Sequence, residues 1–314
     1  MTDILLPDPS GISRAAALLQ QGALVALPTE TVYGLGADAR NGTAVAGIYT
    51  AKGRPSFNPL IIHVADVDQA RQYGRWSDTA EVLASAFWPG PMTLVLPLAE
   101  RHGLSSLVTA GLDSIAIRIP AHPTARAILR AFGGPVAAPS ANPSGKISAT
   151  TAQHVLSGLQ GRIAAVVDDG PCTVGLESTI IRLNQPRPTL LRAGGLPSEA
   201  IEAALGMPLD VADGAEIIAP GQLASHYAPH ASVRLNAQDA KEDEVYLGFG
   251  AAKGTGADDL TLSASGDLVE AAAQLFDQLH ALDRLRKPIA VAPIPETGLG
   301  RAINDRLRRA AAPR

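Results

Sequence analysis

The chain has a single cysteine, Cys172, in 314 residues. That leaves no partner for an internal disulfide and too few thiols for a multi-cysteine metal site, and it suits a reducing compartment. There is no basic excess. A formal charge of −4 and a pI near 6.0 give no electrostatic footprint for RNA or DNA, so any nucleic-acid role would rest on a local patch or on another protein. No apolar run approaches the length of a bilayer span, and Met1-Thr-Asp-Ile-Leu-Leu-Pro7 lacks the basic start of a signal peptide. A cytoplasmic protein with no membrane association is expected. Internal repeats and low-complexity tracts are missing. So are the G-x-x-x-x-G-K-[ST] loop, a complete G-x-G-x-x-G, H-E-x-x-H, C-x-x-C and G-x-S-x-G. Any nucleotide must therefore be held without the usual helix-N-terminus cradle. What the chain does have is 46% hydrophobic against 18% charged residues, enough for one large domain or two ordinary ones with ample core.

Hydrophobic periodicity predicts a mixture of strands and helices without strict alternation. Ser10 is read as the N-cap of an amphipathic helix ending at Gly22, and Ala23 to Leu27 as a buried strand. Thr29 to Gly36 forms a polar turn, followed by a short helix from Ala44 to Ala51. Further strands are expected at Leu60–Val64, Met92–Leu96, Ser114–Ile119, Val136–Ala138, Ala164–Val167, Ser178–Leu183 and Thr189–Arg192. Helices are expected at Ser77–Trp88, His122–Phe132 and Ser198–Leu205. This order predicts an α/β fold with a twisted sheet of mixed direction over residues 1–205. Residues 206–230, broken by Pro208, Gly214, Pro220, Gly221 and Pro229, read as a linker. Residues 231–314 carry four short strands, a long helix from Asp267 to about Leu285 and a final basic helix from about Arg301. They are expected to form a smaller, open Rossmann-like α/β domain.

Polar residues gather at the ends of the apolar strands, where α/β sheets place their ligands. Lys52 and Arg54 lie on a Gly/Pro-stiffened turn before the strand that holds His63. Ser140 and Asn142 follow the run Pro135–Pro139, and Arg192 ends a strand. Cations beside small polar donors suit a polyanion such as a triphosphate, which must be neutralised and oriented before it reacts. Each residue alone has a plainer reading. Lys52 and Arg54 fit a solvated turn, and His63 fits a satisfied core histidine. Ser140-Ala-Asn142 fits a turn, and Cys172 fits an inert buried thiol. Arg118, inside the run Ile115–Ile119, must meet an anion, either in a structural ion pair or on a ligand.

The joint pattern is more specific. Pro28-Thr-Glu-Thr-Val-Tyr-Gly-Leu-Gly36, Lys52-Gly-Arg-Pro-Ser-Phe-Asn-Pro-Leu60 and Trp88-Pro-Gly-Pro-Met-Thr93 occur in that order. Ala116-Ile-Arg-Ile-Pro120, Ala138-Pro-Ser-Ala-Asn142 and Glu177-Ser-Thr-Ile180 follow them. This series resembles the YrdC-like family of threonylcarbamoyl-AMP synthases over about residues 10–205. Ala219–Pro229 and the second unit look like the family's longer, two-domain form.

The resemblance implies a nucleotidyltransferase that joins L-threonine, bicarbonate or CO2, and ATP into threonylcarbamoyl-AMP and pyrophosphate. A downstream threonylcarbamoyl transferase complex then modifies adenosine 37 of tRNA. The resemblance places Lys52, Arg54, Ser140 and Asn142 on the ATP phosphates, with Lys52 and Arg54 as the catalytic cations. Asn58, Ser114, Ser148, Arg192 and Tyr227 are further nucleotide candidates. Thr31, His63, Arg118, the backbone at Ala138, and Ser178 fall where the family holds threonine. Mg2+ is expected to arrive with ATP, and no organic cofactor, protein-held metal or stable nucleic-acid partner is expected. Shielding a carbamate and a mixed anhydride from water would give the linker a purpose, as a lid over Ala219–Pro229 that brings His226 and Tyr227 to the ligand. Here Leu223-Ala-Ser225 departs from the basic and aromatic residues often found before His-Tyr in the family. The carbamoyl-transfer domain of hydrogenase-maturation proteins shares the fold. Those proteins carry acylphosphatase and zinc-finger modules, against which the lone cysteine argues.

Overall fold

The computed structural model describes residues 1–55, 58–183, 187–212, 225–252 and 254–313. A mixed sheet of 11 strands runs, edge to edge, through Asp3–Leu5, Ala165–Val167, Val25–Leu27, Gly34–Asp38, Val136–Ala137 and Ile61–His63. It continues through Ser114–Arg118, Met92–Pro97, Thr179–Arg182, Thr189–Arg192 and Asp210–Val211. The mixed direction follows from the connections. Val25–Leu27 turns back through the Thr29–Val32 loop into an antiparallel partner, whereas Ile61–His63 reaches its parallel neighbour Ser114–Arg118 only after helix Asp78–Phe87 and strand Met92–Pro97. His63 and Arg118 are direct cross-strand partners in that parallel pair.

Ser114, Ala116 and Arg118 share one face of strand Ser114–Arg118, and all five of its residues are buried. The reason lies in the neighbouring strands. Ala116 packs with Ile61, Val95, Ile180 and Leu191 into an apolar row across the sheet, and Ser114 and Arg118 flank Ala116 on that same face. The opposite face, with Ile115 and Ile117, packs under Leu83, Leu94 and Ile201 in the main core. A strand covered on both sides can expose no polar face.

Local signals set most helix ends. Helix Gly42–Lys52 is capped by Asn41, whose side chain accepts from the N–H groups of Thr43 and Ala44. It stops at Gly53 in the left-handed conformation, φ 60°. Lys52 therefore sits in the last turn of the helix and Arg54 just past it. The first helix, Pro9–Gln20, is capped by Asp8 rather than Ser10, because the Asp8 carboxylate accepts from Gly11 N–H and the Ser10 hydroxyl. Gly34–Gly36, expected in a turn, belongs to strand Gly34–Asp38 paired with Val25–Leu27. Helix Ala152–Leu159 was not anticipated, since its His, Ser and Gly weaken the pattern; the Thr151 cap fixes its start.

The second unit is a parallel sheet of 4 strands, ordered Val233–Arg234, Ile289–Val291, Val245–Gly248 and Leu260–Thr261, with helices Leu268–Asp283 and Leu299–Ala311. Its core is not separate. Phe276 and Ile303 share one apolar cluster with Val32, Ile147, Leu176 and Tyr227 from the first unit and its linker. Of the linker read at 206–230, residues 213–224 lie outside the described residues. Among the described residues no helix is long and apolar enough to cross a membrane.

Candidate active site

At one end of the apolar row the sheet opens into a cavity. Arg54, Ser140 and Arg192 line it, as do Ile61, His63, Arg118, Ala138 and Ser178, with His226 and Tyr227 closing over them. Sequence positions as far apart as 54 and 227 therefore converge: His63, Arg118 and Arg192 from strand ends, Ser140 from the loop after a strand, Ser178 from just before one, and Arg54 from the turn after helix Gly42–Lys52.

Lys52 does not line the cavity. It is 3% exposed, and its Nζ donates to the backbone carbonyls of Ser140 and Asn142. In return Ser144 N–H donates to Lys52 O at 2.8 Å, so Lys52 clamps the Ser140–Ser144 loop. Two of its three N–H bonds are committed, leaving one. Burial, aided by the Arg54 charge, lowers its pKa well below the ordinary lysine value. Arg54 is held by one bond, from its guanidinium to Pro59 O at 3.0 Å. Its Nε is buried with no partner among the described residues. Burial lowers its pKa to about 10, which still leaves it cationic at neutral pH. Neither side chain has an anionic partner among the described residues, so a bound anion would be welcome beside them.

Arg118 lies across the cavity. Its guanidinium donates to Glu30 Oε1 at 2.7 Å, Thr31 Oγ1 at 2.8 Å and Gly90 O at 3.2 Å. Among the described residues that engages three of its five N–H donors and leaves two. Burial opposes ionisation of Glu30, but the Arg118 charge and hydrogen bond outweigh it and hold the carboxyl below its ordinary value. Beside this pair, His63 is 5% exposed and its Nδ1 has no partner among the described residues. Burial, with the Arg118 charge, lowers its pKa to about 3, so the ring stays neutral at physiological pH. Ser178 Oγ meets Thr93 Oγ1 at 2.7 Å, and the Arg192 guanidinium donates to Ser178 O at 2.8 Å. His226 is likewise buried, pushed down to about 3 by desolvation, with Nδ1 unpartnered among the described residues. Buried polar atoms without partners are rare in folded proteins. Here Arg54 Nε, His63 Nδ1 and His226 Nδ1 belong to side chains lining one cavity, which marks it as built for a polar ligand.

Other candidates sit nearby without lining the cavity. Ser148 donates to Glu177 Oε1. The Asn142 amide donates to Pro143 O and Lys146 O. Asn58 is 1% exposed, with both side-chain polar atoms unpartnered among the described residues. Ser114 lies at the far end of its strand from Arg118, opposite Pro97. Of the expected lid, residues 219–224 lie outside the described residues, while Ser225 to Pro229 are described.

Three important charges were not singled out from the sequence. Glu30 lies inside the quoted Pro28–Gly36 motif, and Glu177 opens the Glu177–Ile180 motif. Arg306 lies on the last helix, where its guanidinium reaches Glu177 Oε2 at 2.8 Å. A signal for Arg306 was present: Ala302, Ile303, Leu307 and Ala310 set the apolar face of that helix, and the spacing places Arg306 among them. Cys172 is buried, and desolvation pushes its thiol up to about 12.

Comparison with known proteins bears on this geometry. The Sua5/YciO/YrdC family model, described as telomere recombination, matches residues 17–194, and a model for the threonylcarbamoyl-AMP synthase C-terminal domain matches residues 196–312. A threonylcarbamoyl-AMP synthase of Bacillus subtilis is 43% identical, covering 100% of this chain and 96% of its own length. One from Pyrococcus abyssi is 41% identical over 95% of this chain and 93% of its own. The crystal structure of P. abyssi Sua5 complexed with L-threonine superposes with a TM-score of 0.91 at 37% identity, covering 99% of this chain and 97% of that one. The chain thus belongs to the Sua5/YciO/YrdC family, in the form that carries a threonylcarbamoyl-AMP synthase C-terminal domain.

Proposed function

We propose that this chain is an L-threonylcarbamoyladenylate synthase. It makes threonylcarbamoyl-AMP and pyrophosphate from L-threonine, bicarbonate or CO2, and ATP, for a downstream transferase that modifies adenosine 37 of tRNA. The observation that carries the reading is the meeting, in and around one cavity, of two differently built niches. One is cationic, around Lys52, Arg54 and Arg192. The other pairs a buried guanidinium with small hydroxyls and a neutral imidazole, at Arg118, Thr31, Ser178 and His63. Relatives named threonylcarbamoyl-AMP synthase, matched over the whole chain, support the same reading.

In this reading the two uncommitted N–H donors of Arg118 take the threonine carboxylate, a charge-assisted, bidentate contact. Thr31, Ser178 and the neutral His63 surround its hydroxyl and amine. A site that pairs the hydroxyl rejects analogues lacking it, because its own buried polar groups are then left unpaired. Ile61, at the cavity end of the apolar row, offers an apolar contact to the nucleobase. The triphosphate lies toward Arg54, Arg192 and the Ser140 loop that Lys52 clamps.

The chemistry needs no protein nucleophile. The free amine of threonine adds to CO2, giving a carbamate and releasing one proton. A carbamate oxygen then attacks the α-phosphorus of ATP, forming the mixed anhydride as the bond to pyrophosphate breaks. Positioning and charge neutralisation do most of the work in such a transfer. The carboxylates nearest the cavity, Glu30 and Glu177, are each engaged by an arginine, and the described residues hold no cluster of three metal-ligating side chains. Mg2+ carried in by ATP would supply charge neutralisation at the phosphates without needing these carboxylates. His226 and Tyr227 exclude water above the reacting groups.

Mass spectrometry of a reaction with 13C-bicarbonate tests the proposal. Threonylcarbamoyl-AMP one mass unit heavier than the unlabelled product supports it. Adenylate products that never carry the label would overturn it.

A further inference from the structure

Arg306 is remote in sequence from every residue discussed above as a ligand contact, yet it is the largest fully buried side chain in the structure, at 0% exposure. It projects from helix Leu299–Ala311 of the second unit toward the wall of the cavity in the first. Its Nε donates to Glu177 Oε2 at 2.8 Å and its Nη1 to Ala193 O at 2.8 Å, next to Arg192. Asp305 Oδ2 also accepts from Nη1, at 2.9 Å. The guanidinium carbon stands 5.2 Å from the ring centroid of Tyr227. Tyr227 holds a left-handed backbone, φ 59°, which a non-glycine residue adopts only when its surroundings impose it. The far oxygen of Glu177 accepts the Ser148 hydroxyl.

We infer that Arg306 is a positioning residue through which the second unit sets the nucleotide side of the cavity. Glu177 lines that cavity and is fully ionised at neutral pH. Without Arg306 it would keep only the weaker influence of Arg192, and its remaining charge would face the triphosphate and repel it. Held by Arg306, its charge is offset, its Oε1 fixes Ser148, and the same guanidinium supports the Tyr227 ring above the ligand. Of the threonine niche, Thr31, His63 and Arg118 with its partner Glu30 make no contact with Arg306 among the described residues, and the Ser178 side chain meets Thr93 and Arg192 rather than Arg306. The coupling is therefore selective: disturbing Arg306 weakens the nucleotide and spares the amino acid.

The inference rests on the assignment of ATP to this cavity, but its test does not need turnover. Calorimetry on the full-length chain measures ATP and L-threonine binding separately for wild type, Arg306→Met, Glu177→Gln and the double variant, with thermal melts as the folding control. Arg306→Met is expected to weaken ATP at least thirtyfold while threonine stays within threefold. Adding Glu177→Gln is expected to recover at least tenfold of the loss, because it removes the stranded charge. A helix that matters only for packing would show no such rescue. Equal losses of ATP and threonine, or no recovery in the double variant, overturn the inference. If Arg306→Met fails to fold, the charge-keeping Arg306→Lys takes its place. It loses the forked geometry, so a tenfold or greater loss of ATP with threonine intact supports the inference, and unchanged ATP binding overturns it. Wild-type binding of both ligands without product would instead count against the proposed activity, and would leave this comparison readable.

Discussion

Replacing Arg118 with methionine alone would confuse two effects, because it strands Glu30 in a buried site. Breaking such a pair by removing one partner typically destabilises a protein by roughly 3–5 kcal/mol, whereas replacing both members with neutral groups of similar volume is often close to neutral. The informative perturbation is therefore Arg118→Met with Glu30→Gln. The Arg118–Glu30 contact at 2.7 Å disappears together with both charges, so the fold survives. What the double variant lacks is the cation meant for the threonine carboxylate. A hydrogen bond to a charged group contributes about 1.5–3 kcal/mol. Losing a two-bond contact, with some compensation by water, removes about 3 kcal/mol, or roughly a hundredfold in affinity. Calorimetric titration with L-threonine reads this directly, and a melt within a few degrees of wild type shows that folding is intact. A stably folded double variant that still binds threonine within threefold of wild type would refute the reasoning, because the carboxylate must then be held elsewhere.

Three other outcomes follow from the same geometry. His63, His154 and His226 are buried and neutral, each lowered to about 3. Below about pH 6.5 the unfolded chain therefore binds protons that the folded chain refuses, and stability falls as pH falls, by up to about 1.4 kcal/mol per pH unit for each group. The melting temperature should drop steadily from pH 7 to pH 5; a flat profile over that range contradicts the assignment. Cys172, held near 12 by burial, should resist iodoacetamide at pH 8 in the native protein and react readily in urea, which intact mass spectrometry resolves. Lys52→Ala and Arg54→Ala should each lower turnover at least a hundredfold, about 3 kcal/mol of transition-state stabilisation for one phosphate-facing or loop-clamping cation. A tenfold effect or less from both would remove the cationic niche from the mechanism.

The site was legible in the sequence to the extent that its residues sit at the ends of recognisable strands. Arg118 was marked by an arginine in an apolar run, and its need for an anion was met by Glu30, a partner 88 positions away that no local pattern could name. Lys52 and Arg54 were marked as a pair, but their division of labour was not. Helix capping at Asn41 and the left-handed Gly53 place Lys52 under the Ser140 loop and leave Arg54 facing the cavity, a distinction that needs three dimensions. The strand Ser114–Arg118 was legible, yet the neighbours that surround Ser114 and Arg118 are set by long-range pairing. Arg306 shows the opposite case. Its helix was expected, and expected to be basic, but Arg306 was not singled out as the arginine on the apolar face.

The account stands most directly on pyrophosphate release measured with each substrate left out in turn. Release should require ATP, L-threonine and bicarbonate together, and should fall to background when any one is omitted. Pyrophosphate formed at the full rate from ATP without threonine, or none formed with all three present, would contradict the claim that this cavity joins an amino acid to a nucleotide.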